Sequence, residues 1–182
     1  MGTARPVLRS RSDGRVKLSP VSYLLLGMIR LGRQSGYAIK RATDLSTRNW
    51  WPMSLAKVYP ELAKLEQAGL IVGRDDPHGA RARRSYELTD AGKEALVAWL
   101  RTARFVPPQV RDERLLRLFF ADALPRCDQV ALVRRLREGN EAEVARIREV
   151  IVPIAGAAEK AGTVFPAAVA RFSIAVYAAA AS

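Results

Sequence analysis

The chain has one cysteine, one histidine and no apolar run long enough to span a bilayer. Cys127 alone excludes an intrachain disulfide and fits a reducing compartment. His78 and Cys127 fall short of the four ligands zinc usually takes, so no metal site is expected. An enzyme needs a nucleophile–base set, paired acids in a pocket or a phosphate loop. With one His, one Cys and no glycine-rich phosphate motif, nothing supports catalysis or a cofactor. The first residues lack the apolar core of a signal peptide, so a cytoplasmic location with no membrane partner is expected.

Acidic residues are also scarce: 18 Asp and Glu against 30 Lys and Arg, a formal charge of +12. That imbalance favours a polyanionic partner, nucleic acid before an anionic membrane surface. The basic excess is spread along the chain. Basic and acidic residues number five and one in residues 1–17, eleven and seven in 18–92, fourteen and ten in 93–182. Charge counting therefore does not locate a binding surface. Apolar residues make up 49% of the chain, which excludes wholesale disorder.

Three segments follow from patterning. Residues 1–17, with Arg5, Arg9, Arg11, Arg15 and Lys17, show no apolar period and read as a flexible basic arm. It is either a solubilising tail or a strand that tracks phosphates or a minor groove. Residues 18–104 then show a helix opened by Ser19-Pro20, with Val21, Leu24, Leu25, Met28 and Ile29 at helical spacing. A second helix opens after Ser35-Gly36, and a third carries Leu55, Val58, Leu62 and Leu65 on one face up to Gly69. Two strand-like runs, Leu70–Arg74 and Arg84–Leu88, flank a turn-rich stretch and form a hairpin. Thr89 caps a fourth helix with Leu96, Trp99 and Leu100 expected inward. In residues 105–182, after Pro107-Pro108, a short helix carries Leu115, Leu116, Phe119 and Phe120. A long helix over about 128–151 carries Val133, Leu136, Val144, Ile147 and Ile151, interrupted at Gly139-Asn140. The last helix repeats Phe165, Val169, Phe172 and Val176. Such stripes need partner helices, from this chain or from a second copy.

Three helices followed by a basic hairpin is the winged helix-turn-helix plan, mainly α with a small β-hairpin wing, here joined to a C-terminal helical dimerisation region. In that plan one helix enters the major groove while its neighbour and the wing grip phosphates. Opposite the stripe of the third helix lie Ala56, Lys57, Pro60 and Lys64, with Tyr59 on the flank. The wing supplies Arg81, Arg83 and Arg84, which suit phosphate better than base edges. Pro60 leaves two starts open for this helix: Ser54, with a kink, or Pro60 itself.

The stretches Trp50-Trp51-Pro52-Met53-Ser54, Val58-Tyr59-Pro60-Glu61-Leu62, Leu65-Glu66-Gln67-Ala68-Gly69-Leu70-Ile71 and Tyr86-Glu87-Leu88-Thr89-Asp90-Ala91-Gly92 resemble the PadR family of transcriptional regulators. The resemblance covers residues 18–103 and continues more weakly into the C-terminal helices. It implies a homodimer on a near-palindromic duplex DNA operator, repressing a nearby gene and relieved by a small aromatic or drug-like effector. The family's DNA contacts map onto Tyr37, Lys40, Ser54, Lys57, Tyr59 and the wing arginines, and Lys64 extends the same face. Bland readings stand beside these: Tyr37 as core, Lys57 and Lys64 as solvated surface, and His78 as a turn residue. Trp99, Trp50 and Trp51 are either core or an aromatic pocket for the effector. The rival without DNA is a winged-helix protein-interaction module, against which Lys57 and the basic wing argue.

Overall fold

The computed structural model describes residues 17–76, 83–102 and 111–181. Residues 1–16 of the basic arm, residues 77–82 between the strands, residues 103–110 and Ser182 lie outside them. The elements run α1 (Pro20–Arg30), α2 (Gly36–Ser46), α3 (Leu55–Gln67), β1 (Ile71–Asp76), β2 (Arg83–Leu88), α4 (Asp90–Arg101), α5 (Glu113–Phe119), α6 (Arg126–Arg146), α7 (Val152–Lys160) and α8 (Phe165–Ala179). Two compact units result. One holds the chain up to Arg41 with Met53–Ala103; the other holds Ala42–Pro52 with Arg104–Ser182.

In the first unit, α1 begins where the sequence places its cap. Ser19 Oγ accepts from Ser22 N–H, Ser22 Oγ accepts from Ser19 N–H, and Pro20 starts the helix. Leu25 and Leu26 are fully buried where α1 packs on α3, α4 and β2. From α3 come Val58, Leu62 and Leu65, all fully buried. Leu55, on the first turn of α3, does not join them: it is 39% exposed. The helix is continuous from Leu55, with Pro60 inside it. Gly69, at φ 68°, ends it in the left-handed conformation, and Leu70 N–H returns to Leu65 C=O. β1 and β2 pair antiparallel, Ile71 opposite Leu88 and Asp76 opposite Arg83. Tyr86 N–H donates to Gln34 C=O at 2.6 Å, tying the hairpin to the turn before α2. On α4 Gly92 and Leu96 are buried; Trp99 and Leu100, expected inward, are exposed on the last turn.

In the second unit α6 packs on α8 and α7 on α8, with Ala155, Ala167 and Ala170 letting the α7 and α8 backbones approach. The helices differ from the sequence expectation at two places. The buried seam of α6 passes through Leu132, Asn140 and Val144, leaving Val133 exposed. Gly139-Asn140 is no interruption either: the helix runs through it, and Asn140 faces inward with its amide satisfied. The helix then widens into a π-turn at Ile147–Ile151. Pro153 follows directly and offers no N–H to the Glu149 carbonyl, the kind of defect a π-turn absorbs.

Candidate nucleic-acid interface

The position of α3 is set from both ends. Near its middle, Glu61 Oε1 accepts from the hydroxyls of Ser19 and Ser22, which fastens the α1 cap to α3. Beyond its C-terminus, Thr89 Oγ1 donates to Gly69 C=O at 2.7 Å and accepts from Gly92 N–H at 3.1 Å. Gly92 lies so close to the Leu70 carbonyl that a Cβ there would sit 2.0 Å from its oxygen. The Leu-Thr-Asp-Ala-Gly run is therefore a packing joint between α3, the hairpin and α4.

Held this way, α3 presents Ala56, Lys57, Tyr59, Pro60 and Lys64 outward, all exposed. Ser54 is its N-cap. Its carbonyl accepts from Lys57 and Val58 N–H, while its hydroxyl makes no capping bond at the positive end of the helix. Lys64 Nζ lies 3.9 Å from Glu61 Oε2. Tyr59 rests on the start of α2, where a Cβ on Gly36 would meet its ring at 2.7 Å. On the first half of α2, Tyr37 is 64% exposed, which removes the reading of it as core, and Lys40 is half-buried. Tyr37, Lys40, Ser54, Lys57 and Tyr59 thus fall in one unit with the hairpin, the start of α2 held against α3 by the Gly36–Tyr59 contact.

On the wing, Arg81 and His78 lie outside the described residues, and Arg83 is placed only through its pairing with Asp76. Arg84 is engaged within the protein. Its guanidinium donates to Glu66 Oε1 at 2.8 Å and to Asp75 Oδ1 at 3.0 Å.

Residues 25–98 match the transcriptional regulator PadR-like family, and residues 110–181 match the virulence activator alpha C-terminal family. The negative transcriptional regulator PadR of Bacillus subtilis is 30% identical over 129 residues, which span 70% of this chain and 71% of that one. The chain belongs to the PadR-like family of transcriptional regulators. It is a DNA-binding transcriptional regulator with a winged-helix fold and a C-terminal helical region. The crystal structure of B. subtilis PadR with operator DNA superposes with a TM-score of 0.76 at 25% identity, covering 90% of this chain and 94% of that one. The structure of the same protein with p-coumaric acid matches with a TM-score of 0.64 at 23% identity, covering 87% and 95%.

In this PadR-like chain the tryptophans do not form one cluster within a unit. Trp99 belongs to the first unit and stacks on Tyr23, ring centroids 4.7 Å apart and planes 8° apart. Trp50 and Trp51 belong to the second unit and are exposed. Sequence reasoning missed Glu66, Gly73 and Asn140. The first two carry no signal until the hairpin register is known, and Gly139-Asn140 reads in sequence as a helix break.

Proposed function

We propose that this chain is a homodimeric repressor that grips a near-palindromic duplex operator and is released from it by a small aromatic effector. The observation that carries the DNA reading is the exposed, small-and-basic outer face of α3, with Lys57 and Ala56 free of bulk, beside the N-terminal half of α2 and the wing. Such a face lets a helix approach base edges while neighbours hold phosphates. Lys57 is the base-reading candidate; Tyr37, Lys40, Ser54, Tyr59 and Lys64 flank it, with Arg81 and Arg83 on the wing. Dimerisation is supported by α5 and α8, whose Phe119 (79% exposed), Phe165 (78%) and Phe172 (69%) are too apolar to face water in the working protein. The repressor role follows B. subtilis PadR, a negative regulator, and the effector class follows the p-coumaric acid bound to that protein. A cytoplasmic location accords with this work, and no described helix is long and apolar enough to cross a membrane.

The test is a gel shift with the duplex upstream of the protein's own gene, in parallel with random duplex of equal length. Preferential retention of the upstream duplex, reversed by an aromatic acid, is the expected result. Failure to retard either duplex at low salt returns the chain to the class of protein-interaction modules.

A further inference from the structure

Arg84 looks from sequence like one more wing cation for phosphate. Its surroundings say otherwise. Nη2 donates to Glu66 Oε1 at 2.8 Å, while Nη1 donates to both Asp75 oxygens at 3.0 and 3.3 Å. The same Glu66 oxygen accepts Gly73 N–H at 2.9 Å. Glu66 lies in the last turn of α3, Gly73 and Asp75 on β1, and Arg84 on β2. One guanidinium and one carboxylate therefore join the recognition helix to both strands of the wing. Gly73 makes this possible, since a Cβ there would lie 2.5 Å from Arg84 Nε and 2.6 Å from Glu66 Oε1.

The electrostatics also point inward. Arg84 and the Gly73 N–H hold the Glu66 carboxyl below its ordinary range, so it stays ionised. The cluster carries two carboxylates against one guanidinium. A phosphate arriving there would meet a formal excess of negative charge, and would have to displace carboxylates from a fork already filled.

We infer that Arg84 is a positioning residue, a strut that fixes the angle of the wing against α3 through Glu66, and does not itself hold phosphate. This rests on the reading of α3 and the wing as the DNA-contacting elements. Glu66, an acidic residue on a DNA-binding unit, then favours DNA binding. Two consequences separate a strut from a phosphate ligand. A strut acts through Glu66, so losing either partner weakens binding and losing both adds nothing further. A phosphate ligand displaces counterions, so its loss lowers the slope of log affinity against log salt by about 0.9. Loss of a strut leaves the slope alone.

The experiment measures fluorescence anisotropy of the duplex upstream of the protein's own gene, over a salt series, with the full chain. Wild type, Glu66→Gln, Arg84→Gln, the double variant and Arg84→Lys are compared, with circular dichroism to establish that each is folded. Both single Gln variants are expected to bind about tenfold more weakly, the double no more weakly than the worse single, all with the wild-type slope. Arg84→Lys, which keeps the charge but cannot span two carboxylates, should recover only part of the affinity. Tighter binding by Glu66→Gln, a reduced slope for Arg84→Gln, or full recovery by Arg84→Lys overturns the strut while leaving the DNA reading intact. If either Gln variant fails to fold, the affinity of Arg84→Lys against wild type decides: a clear loss supports the strut and wild-type affinity overturns it. Wild-type protein that binds no duplex in a salt-dependent way overturns both.

Discussion

Asn140, buried in the middle of α6, accepts Arg114 Nη1 on its Oδ1 at 2.9 Å and donates Nδ2 to the Ala180 carbonyl at 2.9 Å. One amide thereby joins α5, α6 and the end of α8. Arg114 is itself oriented by Asp112, and its guanidinium lies 5.7 Å from the centre of the Tyr177 ring. Asn140→Ala deletes both bonds and leaves the Ala180 carbonyl without this donor. The expected loss is about 1–3 kcal/mol, read as a lower urea midpoint at fixed protein concentration. An unchanged midpoint means that water replaces the amide at no cost.

In the proposed dimer, the exposed apolar faces of α5 and α8 set the oligomeric state. Sedimentation of the wild type at micromolar concentration should give about twice 20.1 kDa. Phe172→Glu places a charge on the α8 face and should shift the protein to monomer, and DNA affinity should fall with it. A Phe172→Glu variant that remains dimeric moves the interface away from α8.

Binding to DNA should weaken steeply with salt. Six to ten phosphate contacts imply a loss of roughly 10³–10⁵ in affinity between 50 and 200 mM. Lys57→Ala should cost more on the upstream duplex than on random duplex, by about 1–3 kcal/mol of discrimination. Equal losses on both would make Lys57 a phosphate contact.

Acid should destabilise the fold through carboxylates that the native state keeps ionised. Hydrogen bonds from Arg114 hold Asp112 low; burial pushes Glu143 up, but Arg146 and Asn49 bring it below its ordinary value. Each folded value lies below its unfolded one, so the stabilisation is complete above the unfolded value and is lost as pH falls through the folded one. These groups therefore predict stability nearly flat from pH 8 to about 5, then declining below about 4. Asp112→Asn should lower the plateau and flatten the acid limb in urea midpoints measured across pH. A limb of unchanged steepness assigns the acid loss to other groups.

Local chemistry was readable wherever one short stretch decides the outcome. Ser19, Gly69 and Thr89 mark helix ends whose hydrogen bonds close within a few residues, and the structure keeps all three. Periodicity found the apolar faces but not their cover. Leu55, Trp99 and Leu100 share a face with true core residues, yet lie on end turns and stay exposed, Trp99 with only Tyr23 stacked on one face. Leu132 and Val133 are indistinguishable by period, since either keeps a spacing of three or four to Leu136, yet only Leu132 is buried. Arg84 shows the harder limit. Its partners Glu66 and Asp75 lie eighteen and nine residues away and meet it only through the hairpin register.

The proposed aromatic effector is expected to bind at Trp99. The residue lies in the last turn of α4, and Tyr23 covers one face of its indole while 43% of the residue stays exposed. A planar aromatic compound can extend that stack, and pairs of this kind add about 0.5–1.5 kcal/mol beyond burial. A ligand shifts the operator equilibrium only by its difference in affinity between the free and DNA-bound states. An inducer must therefore bind free protein more tightly, and by reciprocity it weakens DNA binding by the same factor. Titrating aromatic acids should quench tryptophan fluorescence, and the concentration needed should rise when the upstream duplex is present. Trp99→Phe should abolish the quenching, and Tyr23→Leu should weaken it by freeing the indole to tilt. Quenching that persists in Trp99→Phe transfers the role to Trp50 and Trp51. Quenching that ignores the duplex means that the compound binds without regulating, since equal affinity for both states moves neither.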